Sequence, residues 1–382
     1  MSTAPFHLAV ALDGTGWHPA SWREPDARPL DLLTARYWAD LVAEAERGLL
    51  DFVTIEDGLI PQYDDPLRAD DRTDRVRGRL DAVLIAARVA PLTRHVGLIP
   101  TAIVTHTEPF HLSKAIATLD YVSTGRAGIR VQVTASPEAA RHFGRRDVAS
   151  GAELLDEAAD YVEVLRRLWD SWEDDAEIRD VATGRFVDRK KLHYIDFEGS
   201  TFSVRGPSIT PRPPQGQPIV AALGHGDPAY DLIAGSADVG FVTPRDASQA
   251  AAIVTSLAAR RPADLPPVRV FADVEVTLDS DDAAAHARRA RLDDRAGDRP
   301  PSDAHSFVGT PAGLADLLQD WHGAGLSGFR LRPAALPHDL TQIVDGLVPE
   351  LQRRGSFHER YSTRTLRDAL ALPRPVNRYA DA

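Results

Sequence analysis

A chain of 382 residues with 56 acidic against 44 basic side chains, net −12, opposes binding to nucleic acid or anionic membrane, and its arginines are interleaved with acids. Cysteine is absent, which excludes disulfides, thiolate metal ligands and thiol nucleophiles, so any redox chemistry needs a borrowed cofactor. No apolar run approaches the ~18 residues that cross a bilayer, and the start lacks a basic export region, so a cytoplasmic protein is expected.

Short apolar runs at 6–12, 52–55, 96–103, 128–133, 218–223, 239–242, 268–276 and 328–331 predict eight strands. Amphipathic patterns at 33–47, 80–89, 109–121, 153–169, 229–236, 247–260, 282–292 and 311–323 predict helices between them. Eight such units read as one (β/α)8 TIM barrel spanning 1–382, with helices outside a parallel sheet. The rival is a two-domain doubly wound protein, but no Gly/Ser/Pro linker divides the chain. Two insertions depart from the repeat. Residues 170–217 carry Glu173-Asp174-Asp175, a hairpin around 197–202 and a Pro-rich run, and far exceed the usual 2 to 6 residue αβ connection. Residues 288–303, rich in Arg, Asp and Pro, read either as a solvated loop or as a lid over the barrel mouth. A C-terminal extension at 355–382 ends, after Leu372, in an arm or a frayed end.

Phosphate-loop, zincin, nucleophile-elbow and EF-hand motifs are absent. Gly224-His225-Gly226-Asp227-Pro228-Ala229 satisfies GxGxxA, yet it begins beyond mid-chain. It is better read as a βα loop on the C-terminal face of a barrel, with Asp227 as N-cap and Pro228 at the first helical position. His106 and Glu108 could ligate a metal together, but no third ligand is identifiable, so no metal site is expected. His18 lies just past the first strand, where it is either a pocket residue or part of the loop filling.

Several stretches resemble one family: GTGWHPASWREPDA at 14–27, AEAERGLLDFVTIEDG at 43–58, residues 108–144, VEVLRRLWDSWEDD at 162–175, residues 193–217, and VPELQRRGSFHERYSTRTLRDALAL at 348–372. Together they are similar to the bacterial luciferase-like monooxygenases, in the branch holding nitrilotriacetate, EDTA, dibenzothiophene-sulfone and pristinamycin-synthase type enzymes. The resemblance implies a barrel that takes reduced FMN from a separate flavin reductase and uses O2 to oxidise a small organic substrate. It also implies a homodimer or homotetramer. Asp57 matches a flavin-side position after the second strand, and Thr105 a polar position after the third. Trp17, His18, Trp22, Glu56 and His106 would line the mouth, with His18 and His106 as candidates for the chemistry. Arg130, Gln132, Gly224 and His225 complete the candidate cofactor residues.

The departures from that branch lie where the cofactor is held. After Gly128 it has Trp-Asn-Val-Val-Thr-Ser, whereas this chain has Ile129-Arg130-Val131-Gln132-Val133-Thr134, so the flavin-facing Asn is Arg130. A phosphate-side His and Tyr are replaced by Gly151 and Leu155. A capping Asp227 would occupy helix donors and repel a phosphate. Arg130, Arg141, His142, Arg145 or Arg146 would then supply a relocated anion site, or else be surface pairs. Three readings follow: a reduced-FMN monooxygenase, an F420-dependent oxidoreductase, and a barrel that uses no flavin, as a cofactor-free enzyme or a noncatalytic partner.

Overall fold

A computed structural model describes residues 5–65, 67–297 and 301–380. Eight parallel strands close into a ring: β1 (His7–Leu12), β2 (Phe52–Ile55), β3 (Gly97–Ile103), β4 (Gly128–Gln132), β5 (Ile219–Gly224), β6 (Val239–Val242), β7 (Arg269–Leu278) and β8 (Gly328–Pro333). Each pairs with its sequence neighbour, and β8 returns to β1 with Val10 opposite Leu331. All eight expected strands are present, β2 and β6 with the expected bounds. Their near-continuous apolar runs are what a sheet covered by helices on its outer face requires.

The helices follow the same alternation: α1 (Ala35–Arg47), α2 (Ala82–Val89), α3 (Pro109–Val122), α4 (Pro137–Phe143), α5 (Gly151–Asp170), α6 (Asp227–Ser236), α7 (Ala247–Arg260), α8 (Asp282–Ala296) and α9 (Pro311–His322). Several start where a side chain accepts the first free N–H, as Thr34, Asp81, Asp246 and Thr310 do. Ser150 and Glu153 form a reciprocal capping box at α5.

The barrel interior is stacked in two layers of opposite character. Near the N-terminal ends of the strands lie Ala9, Phe52, Ile99, Ile219, Val239, Phe241 and Phe271, closed off by Leu366, Leu370 and Leu372 of the C-terminal extension. That extension is therefore the plug of the barrel. Gly97 makes room for it, since a Cβ there would stand 2.6 Å from the Leu366 side chain and 2.9 Å from Phe52. Gly97→Ala should cost about 1–3 kcal/mol through overpacking, read as a lower midpoint in chemical denaturation. Above the apolar layer, towards the C-terminal ends, the interior turns charged.

Two expectations are corrected, the loop at the start of 288–303 and the Asp227 cap. The helix expected at 282–292 runs on to Ala296, so the start of the 288–303 insertion is the second half of α8 and not loop, and its arginines are matched by acids elsewhere in the chain: Arg288 by Asp339, and Arg291 and Arg295 by Glu24 at 2.6 and 2.8 Å. Beyond α8, residues 298–300 lie outside the described residues, and a further strand, His305–Gly309, pairs with the second half of β7. The segment after Leu372 is a bound arm: Asn377 donates to the carbonyls of Asp170 and Trp172 at 2.8 Å, and Arg374 grips Asp174. Asp227 is the first residue of α6 rather than its cap. Gly226 holds the N-cap without a side-chain bond, while the Asp227 carboxylate turns outward to Arg260 at 2.6 Å. Between α5 and β5, the chain forms two short hairpins, Glu177–Asp180 with Arg185–Val187 and Phe197–Glu198 with Ser203–Val204. Among the described residues no helix is long and apolar enough to cross a membrane.

Candidate active site

A cavity of about 770 Å³ opens at the C-terminal ends of the strands, the face where barrel enzymes carry their chemistry. Its floor comes from inward-facing polar residues at alternate strand positions: Glu56 just past β2, Arg130 and Gln132 on β4, Glu275 on β7 and Arg332 on β8. Loop residues Asp13 to Pro19 form one wall, and Leu155, Ala158, Leu223 and Leu232 form an apolar one. Pro301, Ser302 and Asp303 lie at the rim.

The floor is a buried ionic network. Arg130, 3% exposed, donates through Nε to Thr101 Oγ1 at 2.9 Å and through Nη2 to Gln132 Oε1 at 2.7 Å and to the Glu56 carboxylate. Beside it Asp273, fully buried on β7, is clasped by Arg330 and Arg332 of β8. Arg330 lies over the Phe241 ring at 3.9 Å, and Arg332 over Trp17 at 4.4 Å, so both cations also rest on aromatic faces. Burial alone would push the Asp273 carboxyl up, yet the two guanidiniums hold it below its ordinary range. Burial pulls the Arg130 guanidinium down to about 10 against the support of Glu56. Glu56 Oε1 is buried without a hydrogen bond, 3.5 Å from Arg330 Nη1.

Arg332 also reaches Asp303 at 2.5 Å, and Asp303 stands 3.5 Å from His225. Arg245 donates to the carbonyls of Ser302 and Ala304. The rim segment is thus strapped across the mouth from β8 and from the loops after β5 and β6. Because Asp303 is half exposed, Asp303→Asn should lower global stability by less than about 1 kcal/mol. It should nonetheless accelerate amide hydrogen exchange at 302–304 well beyond that of the core.

Of the expected site residues, the structure brings His18, Arg130, Gln132, His225, Trp17 and Glu56 to the cavity. His18 is fully buried; its Nδ1 accepts from Ala20 N–H at 3.2 Å, which leaves Nε2–H to donate to Asp293 at 3.0 Å. That fixes a neutral tautomer and ties the 13–24 loop to α8. Gly224 ends β5 behind His225, packed so closely that a Cβ would meet Ile233 at 2.9 Å. His106, Asp57, Thr105 and Trp22 are not among the lining residues. His106 stacks on Phe143 at 5.0 Å, outside the cavity wall. Asp57 accepts from Gly58 and Ala82 N–H, supporting the start of α2, so both oxygens are engaged in structure. Thr105 accepts from Thr134 N–H, and Trp22 donates to the Asp74 carbonyl. The proposed relocated cations other than Arg130 are also elsewhere. Arg145 pairs with Glu108, Arg146 with Glu157, and His142 lies near Glu138. Among the described residues no three metal-ligating side chains come together.

The profile of the family described as luciferase-like monooxygenase matches residues 15–328. The chain is 31% identical to N-acetyl-S-(2-succino)cysteine monooxygenase of Bacillus subtilis, covering 98% of each. It is likewise 31% identical to nitrilotriacetate monooxygenase component A of Aminobacter aminovorans, again over 98% of each. The first alignment runs over 439 positions, so that relative carries segments this shorter chain lacks. The fold superposes on long-chain alkane monooxygenase (LadA) with a TM-score of 0.87 at 23% identity, covering 97% of this chain and 96% of that one. The chain belongs to the luciferase-like monooxygenase family.

Proposed function

We propose that this protein is the oxygenase of a two-component system, taking reduced FMN from a separate flavin reductase and oxidising a small organic substrate with O2. A cytoplasmic homodimer or homotetramer is the assembly proposed with it. The observation that carries the reading is the cavity itself: at the C-terminal face of a chain matched by the family over 15–328, it has a polar floor and an apolar wall.

The residues present fit the cofactor. The orphaned Glu56 Oε1 calls for a donor, which the N–H groups of an isoalloxazine provide. Arg130 and Gln132 lie beside it as donors for ring carbonyls and nitrogens. For the phosphate, the start of α6 carries no side-chain cap, the outward Asp227 is paired with Arg260, which it shares with Asp231, and His225 stands one residue before the cap. Free N–H groups and the helix dipole suit an anion there. When bound, reduced flavin supplies the two electrons that reduce O2, one oxygen atom passing to the substrate and the other to water. The chain's own part is to orient the ring on the β4 floor, to exclude water beneath the 301–304 strap, and to hold the substrate against Trp17 and the apolar wall.

Anaerobic titration with reduced FMN tests the reading: micromolar or tighter binding is expected, about −8 kcal/mol or better. No binding, or binding of F420 in its place, would overturn it. The phosphate side also yields a gain-of-function prediction. Leu155 lines the cavity, and Gly151 has open space around its Cβ position. The double variant Gly151→His, Leu155→Tyr should therefore tighten FMN by tenfold or more, since hydrogen bonds to a charged group are worth about 1.5–3 kcal/mol. Isothermal titration with wild type and variant side by side reads the difference.

A further inference from the structure

Arg130 stands where the family resemblance places a neutral asparagine. Its Nε and Nη2 are committed to Thr101, Glu56 and Gln132, while Nη1 makes no hydrogen bond among the described residues. Gln132 gives its Oε1 to Arg130, and its Nε2 makes no hydrogen bond among the described residues either. Both side chains line the cavity, and Arg130 is more than nine-tenths buried. The floor therefore presents open N–H donors from β4 next to the orphaned acceptor Glu56 Oε1. Three buried guanidiniums (Arg130, Arg330, Arg332) stand there with three buried carboxylates (Glu56, Asp273, Glu275), and Asp303 joins at the rim.

Resting on the FMN reading above, we infer that Arg130, with Gln132, grips the pyrimidine edge of the flavin ring and selects its reduced anion over the neutral oxidised form. The ring acquires negative charge on that edge only when reduced, and a desolvated guanidinium fixed beneath it interacts far more strongly with the anion than with the neutral ring. An amide, as in asparagine, supplies hydrogen bonds without that charge. Glu56 Oε1 remains to accept a ring N–H, so the ring is read by donor and acceptor together.

The test is anaerobic titration of the wild type, Arg130→Lys and Arg130→Gln with oxidised and with reduced FMN, together with absorbance spectra of the bound reduced form. The wild type should bind reduced FMN at least tenfold more tightly than oxidised FMN. Its bound reduced flavin should show the anionic spectrum at a pH where free reduced flavin is largely neutral. Arg130→Gln should lose tenfold or more of that preference, equivalent to a midpoint potential lower by about 30 mV per tenfold for the two-electron couple. Arg130→Lys, which keeps the charge, should retain part of it. A neutral spectrum for reduced flavin bound to wild type overturns the inference without any variant having to fold. An unchanged preference in a folded Arg130→Gln overturns it too, while leaving FMN binding intact. Failure of wild type to bind either form would bring down the FMN reading itself.

Discussion

Asp273→Ala is expected to destabilise the protein by about 3–5 kcal/mol, the range for breaking a buried ion pair on one side. Asp273 is fully buried, and its two oxygens accept from Arg330 and Arg332, which are themselves buried. Removing the carboxylate leaves two buried cations without their shared counter-ion, Arg332 keeping Asp303 at the rim and Arg330 only the more distant Glu56. The melting temperature should fall by roughly 4–6 °C for a chain of this size. As a contrast, Glu350→Ala, which breaks pairs with Arg353 and Arg354 on the surface, should leave the melting temperature almost unchanged. The pH dependence has a definite sign. The folded carboxyl of Asp273 lies below its unfolded value, near 3.9, so its contribution is fully present above that value. It is lost only as pH falls through the lower, folded value. The wild-type advantage over Asp273→Asn should thus be constant from pH 5 to 8 and shrink below about 4.

Arg126→Ala should cost a comparable amount, about 3–4 kcal/mol, for a different reason. Arg126 is 2% exposed, and its five N–H groups make five bonds: to the carbonyls of Ser123, Val96, Ala90 and Thr93, and to the Thr93 hydroxyl. It therefore joins the turn before β4 to the segment between α2 and β3. Truncation strands the carbonyls of Val96 and Thr93, each worth about 1–3 kcal/mol when left unsatisfied, while those of Ser123 and Ala90 lose one donor and keep Thr124 and Thr93. Lysine has three donors on one nitrogen and cannot reproduce the fork, so Arg126→Lys should recover less than half of the loss. Equilibrium denaturation in urea for the three proteins checks both statements.

The barrel was legible because its strands are short apolar runs separated by amphipathic ones, and that periodicity survives any tertiary detail. The loop reading from 288 overlapped the helix expected at 282–292 for a physical reason: the arginines there are satisfied by Glu24, Glu275 and Asp339, distant in sequence, so a helix with buried polar contacts resembled a solvated loop. Of the residues read as facing the barrel mouth, Arg130, Gln132 and His225 line the cavity, while Asp57 and Thr105 bond to local backbone. Asp273, Arg330 and Arg332 were missed altogether. A signal for them exists: polar residues two apart near the C-terminal ends of otherwise apolar strands, as in Arg130 and Gln132, Asp273 and Glu275, Arg330 and Arg332. In a barrel, that alternation points into the interior, at the level of the site. Which cation meets which anion depends on closure of the ring, through contacts 57 and 59 residues apart, and that is not a local property.

The most direct measurement is a crystal structure of the protein soaked with reduced FMN under anaerobic conditions. The account predicts an isoalloxazine above β4, its pyrimidine edge within hydrogen-bond distance of Arg130 Nη1 and Gln132 Nε2, and its phosphate at the start of α6. A ring bound elsewhere, a ring with that edge turned away from Arg130, or a cavity that stays free of flavin at saturating concentration would contradict it.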